Sequence, residues 1–266
     1  MTGPIKTIMV IGDADSGKTA FCEALAGLLS EHFETGAADL DMGQSHIGPP
    51  STIAWGKAGK GHWDDIEMED MYFTGALSPP GNLLPLLAGA KKIVESAAKR
   101  SEKLVIDTTG LVRGPLGRLL KQYKIELLLP DMVVALEREG ELRHIIEGFR
   151  LQKTPVFERI DVPGFISFKS VLKRTEYRAD KFRKYFSGSR VITVSRSEVG
   201  LRFTSTKNNG ELAGRLISLR DEMHKDIALG IIEGVDPERD TLLVRTPLAK
   251  GAGFSTLVIG TAVISL

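Results

Sequence analysis

Gly12-Asp-Ala-Asp-Ser-Gly17-Lys18-Thr19 fits the pattern G-x-x-x-x-G-K-[ST] at every position. The glycines let successive backbone N–H groups turn toward one anion, and a following helix adds its partial positive charge. A lysine at position 18 reaches β- and γ-phosphates, and a hydroxyl at position 19 ligates Mg²⁺. Gly12, Asp13, Ala14, Asp15, Ser16, Gly17, Lys18, Thr19 and Ala20 are therefore the expected nucleotide-binding set, and a nucleoside triphosphate the expected ligand. Guanine-specific loops of this kind usually come with N-K-x-D. None of the three asparagines, Asn82, Asn208 and Asn209, precedes a lysine. ATP, or a permissive site, is expected over a Ras-like GTPase.

A second group of polar residues follows at Asp39-Leu-Asp41-Met-Gly-Gln44. It ends an apolar run, and the C-terminal ends of strands are where ligands bind in an open parallel sheet. Carboxylates at i and i+2 on a strand point the same way. One could hold Mg²⁺ through water while the other takes the proton of an attacking hydroxyl. Capping or turning the chain is the alternative role for Asp39. Asp107, closing Leu104-Val-Ile-Asp107, fits a magnesium-supporting carboxylate, so the expected metal set is Thr19, Asp39 and Asp107.

Cations concentrate in one stretch. Residues 150–190 hold eleven basic against four acidic side chains, a surplus of seven hidden inside a formal net charge of +1. Such a block suggests a polyanionic partner, with a solvated helix face as the alternative. Val171 to Phe186 reads as a helix entered from Pro163-Gly164, and Arg174, Arg178 and Lys181 fall at i, i+4 and i+7 on one face. Guanidinium forks stabilise the spread charge of a transferring phosphoryl group better than an ammonium does. A mobile helix carrying them would also exclude water. The alternative is intrahelical pairing with Glu176 and Asp180.

The elements that must position these groups alternate. Strand patterns at Ile5–Ile11, Thr35–Leu40, Met71–Thr74, Lys103–Asp107, Met132–Leu136, Pro155–Phe157 and Arg190–Val194 are interleaved with helical patterns at Thr19–Ser30, Leu83–Arg100, Leu116–Leu128 and Leu142–Leu151. This predicts an α/β fold of the P-loop NTPase type: a mostly parallel sheet with helices on both faces. After about Gly200 short strands follow at Ile217–Leu219, Ile227–Glu233, Thr241–Thr246 and Thr256–Leu266. The expected division is a kinase domain over 1–200, with a lid at about 160–188, and a small β-rich C-terminal appendage over 201–266.

Four ordered motifs resemble the polynucleotide 5′-hydroxyl kinases. That group contains the kinase subunit of the eukaryotic cleavage and polyadenylation factor and the ribosomal-RNA-processing kinases. The first motif is D-x-D-x-G-Q followed by Ile47-Gly-Pro-Pro-Ser-Thr-Ile53. The second is Tyr72-Phe-Thr-Gly-Ala-Leu-Ser-Pro-Pro-Gly-Asn82, the third Val105-Ile-Asp-Thr-Thr-Gly-Leu-Val-Arg-Gly114. The fourth is the pair Arg174 and Arg178 with Arg183-Lys-Tyr-Phe-Ser-Gly188. The resemblance covers about residues 5–195 and, more loosely, Gly230–Pro237 in the tail. It implies transfer of the γ-phosphate of ATP to the 5′-hydroxyl of RNA or DNA, with Mg²⁺. It also implies that Asp41 is the general base or orients the nucleophile, that Gln44 lies near metal and phosphates, and that the lid arginines neutralise the transferring phosphate. Thr108, Thr109 and Gly110 match the clasp that grips the terminal nucleotide. Leu111 stands where the family has a clasp tryptophan, which removes a stacking surface worth about 1–3 kcal/mol per base. Asp107 stands where it has an asparagine. The phosphate loop begins at once, so the N-terminal β domain of eukaryotic members, and assembly into an mRNA-processing complex, are not expected.

Composition sets the outer limits. With 266 residues, 42% hydrophobic and 26% charged, the chain is an ordinary globular one, not a disordered or fibrous one. Its longest apolar stretch, at its C-terminal end, is too short for a bilayer, and the N-terminus runs into the phosphate loop without a cleavage site. The single cysteine, Cys22, allows no internal disulfide and suggests a cytoplasmic protein. His46, His62 and His144 lack metal-site spacing. Trp55 and Trp63 flank Gly56–Gly61, read as an exposed hairpin anchored by its aromatics, with strand binding as the alternative. The expected activity is thus an ATP-dependent polynucleotide 5′-hydroxyl kinase with Lys18, Asp41, Gln44, Arg174 and Arg178 as catalytic groups. The alternatives are a non-catalytic or regulatory ATP- or GTP-binding protein and a small-metabolite kinase.

Overall fold

Thr7–Gly12, the first strand (β1), turns Ile8 and Val10 to one side and Met9 and Ile11 to the other, and all four are buried. A strand apolar on both faces must be covered on both. The computed structural model describes residues 5–166, 170–206 and 210–265; Lys169, Asn208, Asn209 and Leu266 of the sequence reading lie outside the described residues.

After β1 the chain runs α1 (Lys18–Leu29), β2 (Thr35–Leu40), β3 (Thr52–Lys57), β4 (Met68–Phe73), α2 (Leu83–Ala98), β5 (Lys103–Thr108), α3 (Gly114–Leu128), β6 (Met132–Glu137), α4 (Arg143–Ile146), β7 (Val156–Asp161) and α5 (Val171–Phe186). The strands form a seven-stranded sheet in the order β4-β3-β2-β5-β1-β6-β7. Every pairing from β2 to β7 is parallel, and only β3 runs against its neighbours. One face, through Met9, Ile11, Leu40 and Ile106, packs on α2, α3 and the short α4. The other, through Ile8, Val10, Ala37 and Val105, packs on α1 and on Phe182 and Phe186 of α5.

The remaining strands are β8 (Arg190–Ser195), β9 (Gly200–Phe203), β10 (Arg215–Arg220), β11 (Asp226–Asp236), β12 (Thr241–Thr246) and β13 (Thr256–Val263), in a six-stranded sheet ordered β8-β12-β11-β10-β13-β9. Its Leu216, Leu229, Ile231 and Val258 enter the same buried cluster as β1 and α1, so the second sheet shares a core with the first. The seam is also polar. Asp226, fully enclosed, takes both forks of Arg220 at 2.8 and 2.9 Å and accepts from the Phe73 amide of β4 at 2.8 Å.

Four expectations change. Arg190–Val194, read with the alternating elements of the first sheet, is β8 and hydrogen-bonds to β12 in the second, so that sheet begins before residue 200. Residues 52–57 form a strand not foreseen, as do residues 200–203. The helix expected over Leu142–Leu151 shortens to α4 and a 3-10 turn at Glu147–Phe149, where Gly148 weakens helix formation. β3 and β4 make the expected hairpin, with Trp55 and Trp63 both enclosed. Neither indole is therefore presented to a strand.

Candidate active site

The residues of the phosphate loop lie between the C-terminal end of β1 and the first turn of α1. Gly17 (φ +80°) and Asp15 (φ +56°) both take the left-handed conformation, which bends the loop back on itself. A Cβ at Gly12 would sit 2.4 Å from Ser16 Oγ and 2.8 Å from the Leu136 carbonyl, so only glycine fits there. Lys18 is buried and donates from Nζ to the Asp13 carbonyl at 2.7 Å. Thr19 Oγ1 donates to Asp107 Oδ2 at 2.6 Å.

These residues form one wall of a cleft of about 570 Å³. Ala14, Asp15, Gly17, Lys18, Thr19 and Ala20 reach it, and so do Asp41, Gln44, Thr109, Gly110, Arg174 and Arg178. The two segments expected to hold donor and acceptor and the lid arginines thus meet in one space. Gly12, Asp13 and Ser16 support the loop from behind. Asp13 caps the Ala14 amide with Oδ1 at 2.8 Å and pairs through Oδ2 with Arg113 Nε at 2.6 Å.

The two second-strand carboxylates part company. β2 ends at Leu40, so the alternation that would point Asp39 and Asp41 the same way stops between them. Asp39 is enclosed. Its Oδ1 accepts from the Asp41 amide at 2.9 Å, and its Oδ2 from the His46 amide at 2.5 Å. Burial, with Asp107 beside it, pushes its carboxyl up to about 7. This matches the capping role weighed for Asp39 and leaves it off the cleft wall. Asp41 does line the cleft. Its Oδ1 accepts from the Gly43 and Gln44 amides at 2.9 and 3.1 Å, while Oδ2 accepts no hydrogen bond among the described residues.

Thr108 is likewise withdrawn from the role the resemblance implied. It is fully enclosed, donates to the Val10 carbonyl at 2.7 Å and accepts from Lys121 Nζ at 2.9 Å. Thr109 and Gly110 keep the cleft position. Lys121 also donates to the Thr109 carbonyl at 2.5 Å, so a buried lysine amine fixes this loop from below. Burial pushes Lys121 well below the ordinary lysine value, and Lys124, one turn on, to about 8. The sequence reading missed both lysines. The available signal was two charges among Gly117, Leu120, Ile125 and Leu128, on what is otherwise the apolar face of α3.

Residues expected of a lid come from α5. Arg174 Nη2 pairs with Asp15 Oδ2 of the phosphate loop at 2.5 Å. Arg178 donates to Thr175 Oγ1 at 3.0 Å and has no carboxylate partner among the described residues. Lys181 turns elsewhere. Its Nζ pairs with Asp64 Oδ1 at 2.6 Å and also donates to the His46 carbonyl. The Tyr177 hydroxyl donates to Asp64 Oδ1 at 2.9 Å and lies 3.2 Å from His46 Nδ1, which is 2.9 Å from Asp64 Oδ2. Burial works against ionisation of Asp64, but hydrogen bonds from His46 and Lys181 outweigh it and hold the carboxyl well below its usual range. Burial likewise opposes a charged His46, and its bond to Asp64 overrides that and raises it. This four-residue latch docks α5 onto the loop after β2.

The cleft fits a triphosphate and a hard cation. Gln44 Nε2, on the cleft wall, is buried with no hydrogen-bond partner among the described residues, a donor without an acceptor beside the phosphate loop. Thr19 Oγ1 reaches the cleft, and Asp107 Oδ2, enclosed directly behind it at 2.6 Å, would be the second oxygen close to a Mg²⁺ bound there. Burial raises the Asp107 carboxyl, a cost that the Lys18 charge partly offsets.

Comparison with known proteins gives one answer at two levels. The chain is 37% identical to the polyribonucleotide 5′-hydroxyl-kinase of Pyrococcus horikoshii over 202 residues, covering 75% of this chain and 55% of that protein. It is 34% identical to the protein of the same name from Pyrococcus abyssi over 222 residues, 82% of this chain and 61% of that one. The chain thus spans a little over half the length of these relatives. In fold it is similar to Clp1p as solved in a complex with Pcf11p, with a TM-score of 0.76 over 99% of this chain and 76% of that chain at 14% identity. A family model described as the mRNA cleavage and polyadenylation factor CLP1 P-loop matches residues 12–188, the stretch that carries every group of the cleft. The chain belongs to that CLP1 P-loop family.

Proposed function

We propose that this protein is an ATP-dependent polynucleotide 5′-hydroxyl kinase that phosphorylates the 5′ end of RNA, with DNA ends as a second acceptor. The observation that carries the reading is Asp41: one carboxylate oxygen is fixed by two amides, the other accepts no hydrogen bond among the described residues, and the residue lines the cleft that the phosphate loop and lid arginines share. The names of the relatives favour RNA.

In this reading Lys18 and the loop amides hold the β- and γ-phosphates of ATP, and Lys18 exchanges the Asp13 carbonyl for phosphate oxygen. Mg²⁺, held by Thr19 and Asp107, would neutralise charge on the phosphate oxygens. Asp41 Oδ2 accepts the proton of the 5′-hydroxyl as its oxygen bonds to the γ-phosphorus and the bond from that phosphorus to the β–γ bridging oxygen breaks, ADP leaving with the electron pair. Gln44 Nε2 donates to a phosphate oxygen, and Arg174 and Arg178 stabilise charge on the transferring group. Thr109 and Gly110 contact the terminal nucleotide. Asp39 and Thr108 act behind the cleft, the first by shaping the Asp41–Ile47 loop and the second by tying β5 to β1.

Incubation with γ-labelled ATP or GTP and a 5′-hydroxyl RNA or DNA oligonucleotide tests this. Label should reach the oligonucleotide in the wild type and be abolished by Lys18→Ala and by Asp41→Ala. Full activity in either variant rejects the roles assigned. Release of free phosphate alone selects a nucleotide-dependent switch, and label on a small alcohol but never on an oligonucleotide selects a metabolite kinase.

A further inference from the structure

The cleft continues past its acceptor end. Leu77 and Arg178 line it and also line a second cavity of about 340 Å³, between α5 and the end of β13. Gly43, two residues after Asp41, packs so closely on Leu77 that a Cβ there would lie 2.7 Å from the Leu77 carbonyl. The opening of this groove is therefore next to the carboxylate that faces the reacting hydroxyl.

We propose that the groove is an acceptor subsite for unpaired nucleic acid, an inference that rests on the kinase reading for its 5′ end. It takes the second nucleotide of the strand. Arg178 meets the phosphate that joins this nucleotide to the first, Arg183 the phosphate on its far side, and Leu77 and Val263 its base.

The lining has the chemistry for such a ligand. Arg178 is bonded only to a hydroxyl among the described residues, and Arg183 is paired with Asp180 in an exposed contact on its own helix. Surface pairs of that kind are worth at most about 1 kcal/mol, so a phosphate can displace the carboxylate. Val263 is an apolar side chain left 68% exposed at the end of a strand, and Phe182 forms an enclosed floor. A cationic groove that tracks the backbone is how single strands are held without sequence preference, and here Leu77 and Val263 offer a base apolar contact in place of an aromatic stack. The volume is at the small end of ligand sites and suits one nucleotide, not a duplex. The floor is also fixed. The Thr261 and Ala262 amides of β13 donate to the Gly75 carbonyl at 2.7 and 3.1 Å, joining the groove to the loop that carries Leu77.

The test compares acceptors of different length in the wild type, Arg183→Gln and Val263→Glu. Neither substituted side chain belongs to the catalytic set. With a 5′-hydroxyl tetranucleotide, KM should rise about three- to tenfold in each variant at unchanged kcat, as expected for loss of one phosphate or base contact. With a nucleoside 3′-monophosphate, which carries the phosphate that meets Arg178 but has no second nucleotide to reach Arg183 or Val263, KM should not move. Unchanged KM for the tetranucleotide, or an equal rise for both acceptors, overturns the proposal. Fluorescence anisotropy with the same tetranucleotide supplies a readout that needs no turnover. The slope of log K against log salt should be shallower by about 0.7 in Arg183→Gln, the value for one phosphate on a single strand. An unchanged slope also overturns the proposal. If the wild type binds the strand but phosphorylates no acceptor, the kinase reading fails while the slope still decides the groove.

Discussion

Arg174 touches the phosphate loop through a single carboxylate, Asp15, and lines the cleft beside Lys18. Its planar fork can keep one nitrogen on Asp15 while another meets a phosphate oxygen, which an ammonium cannot do with the same geometry. Arg174→Ala should lower kcat about 100-fold or more, and Arg174→Lys should recover little of it, as for other arginines that act on a transferring phosphoryl group. Steady-state kinetics with a saturating acceptor measures this, and an unchanged kcat would make the residue a docking contact only. At this scale the motif residues were legible because each residue type has one chemical use in its place. Asp39 was the ambiguous one, since the i, i+2 argument holds only while the strand lasts, and β2 stops at Leu40. Lys121 escaped for the opposite reason: a lysine on a helix reads as solvated unless its apolar neighbours are given more weight than its charge.

Helix α5 has the bounds expected of it from the sequence, where it is entered from Pro163-Gly164, and the structure adds a Ser170 side chain that caps its start. The partner that holds it in place was not legible. Asp64 lies 113 residues before Tyr177, in the turn between β3 and β4, and no pattern in a single sequence links the two. The latch gives α5 a pH dependence. The groups facing His46 are Asp39, Asp64, Asp107, Tyr177 and Lys181. Asp64 stays ionised and the Tyr177 hydroxyl stays protonated, since burial and then the Asp64 charge raise it, so His46 titrates within the latch, with Asp39 behind it, pushed up to about 7, titrating in the same window. A histidine raised in the folded state stabilises docking fully below its unfolded value, about 6.5, and that contribution is lost as pH rises through the raised one. Amides of α5 should therefore exchange faster at pH 8.5 than at pH 6, after correction for intrinsic rates, and Asp64→Asn should flatten the difference. Identical corrected rates in the wild type would remove the histidine from the latch. The allegiance of β8 was hidden for a similar reason. Its pattern identifies a strand, whereas its sheet is decided by β12, which begins at Thr241.

Two sheets with one buried cluster between them should unfold together. The Arg220–Asp226 pair lies in that seam, and removing one partner of an enclosed ion pair leaves a stranded charge that costs about 3–5 kcal/mol. Asp226→Ala should lower the denaturant midpoint by a corresponding amount in one transition, followed both by tryptophan fluorescence, from Trp55 in β3 and Trp63 in the turn between β3 and β4, and by circular dichroism. Two separate transitions would mean that the sheets are independent. The charge distribution also acts at this scale. Basic side chains of residues 150–190 pair with acids elsewhere, Arg159 with Glu137, Arg174 with Asp15 and Lys181 with Asp64, so part of the surplus read from sequence is spent on fastening that segment to the rest. Where β13 passes the loop after β4 there is no slack at all: a Cβ on Gly260 would lie 2.6 Å from the Gly75 carbonyl. Backbone packed that tightly cannot bend independently of its neighbour. That side of the molecule is an anvil, and any opening that admits nucleotide or strand must come from the α5 side.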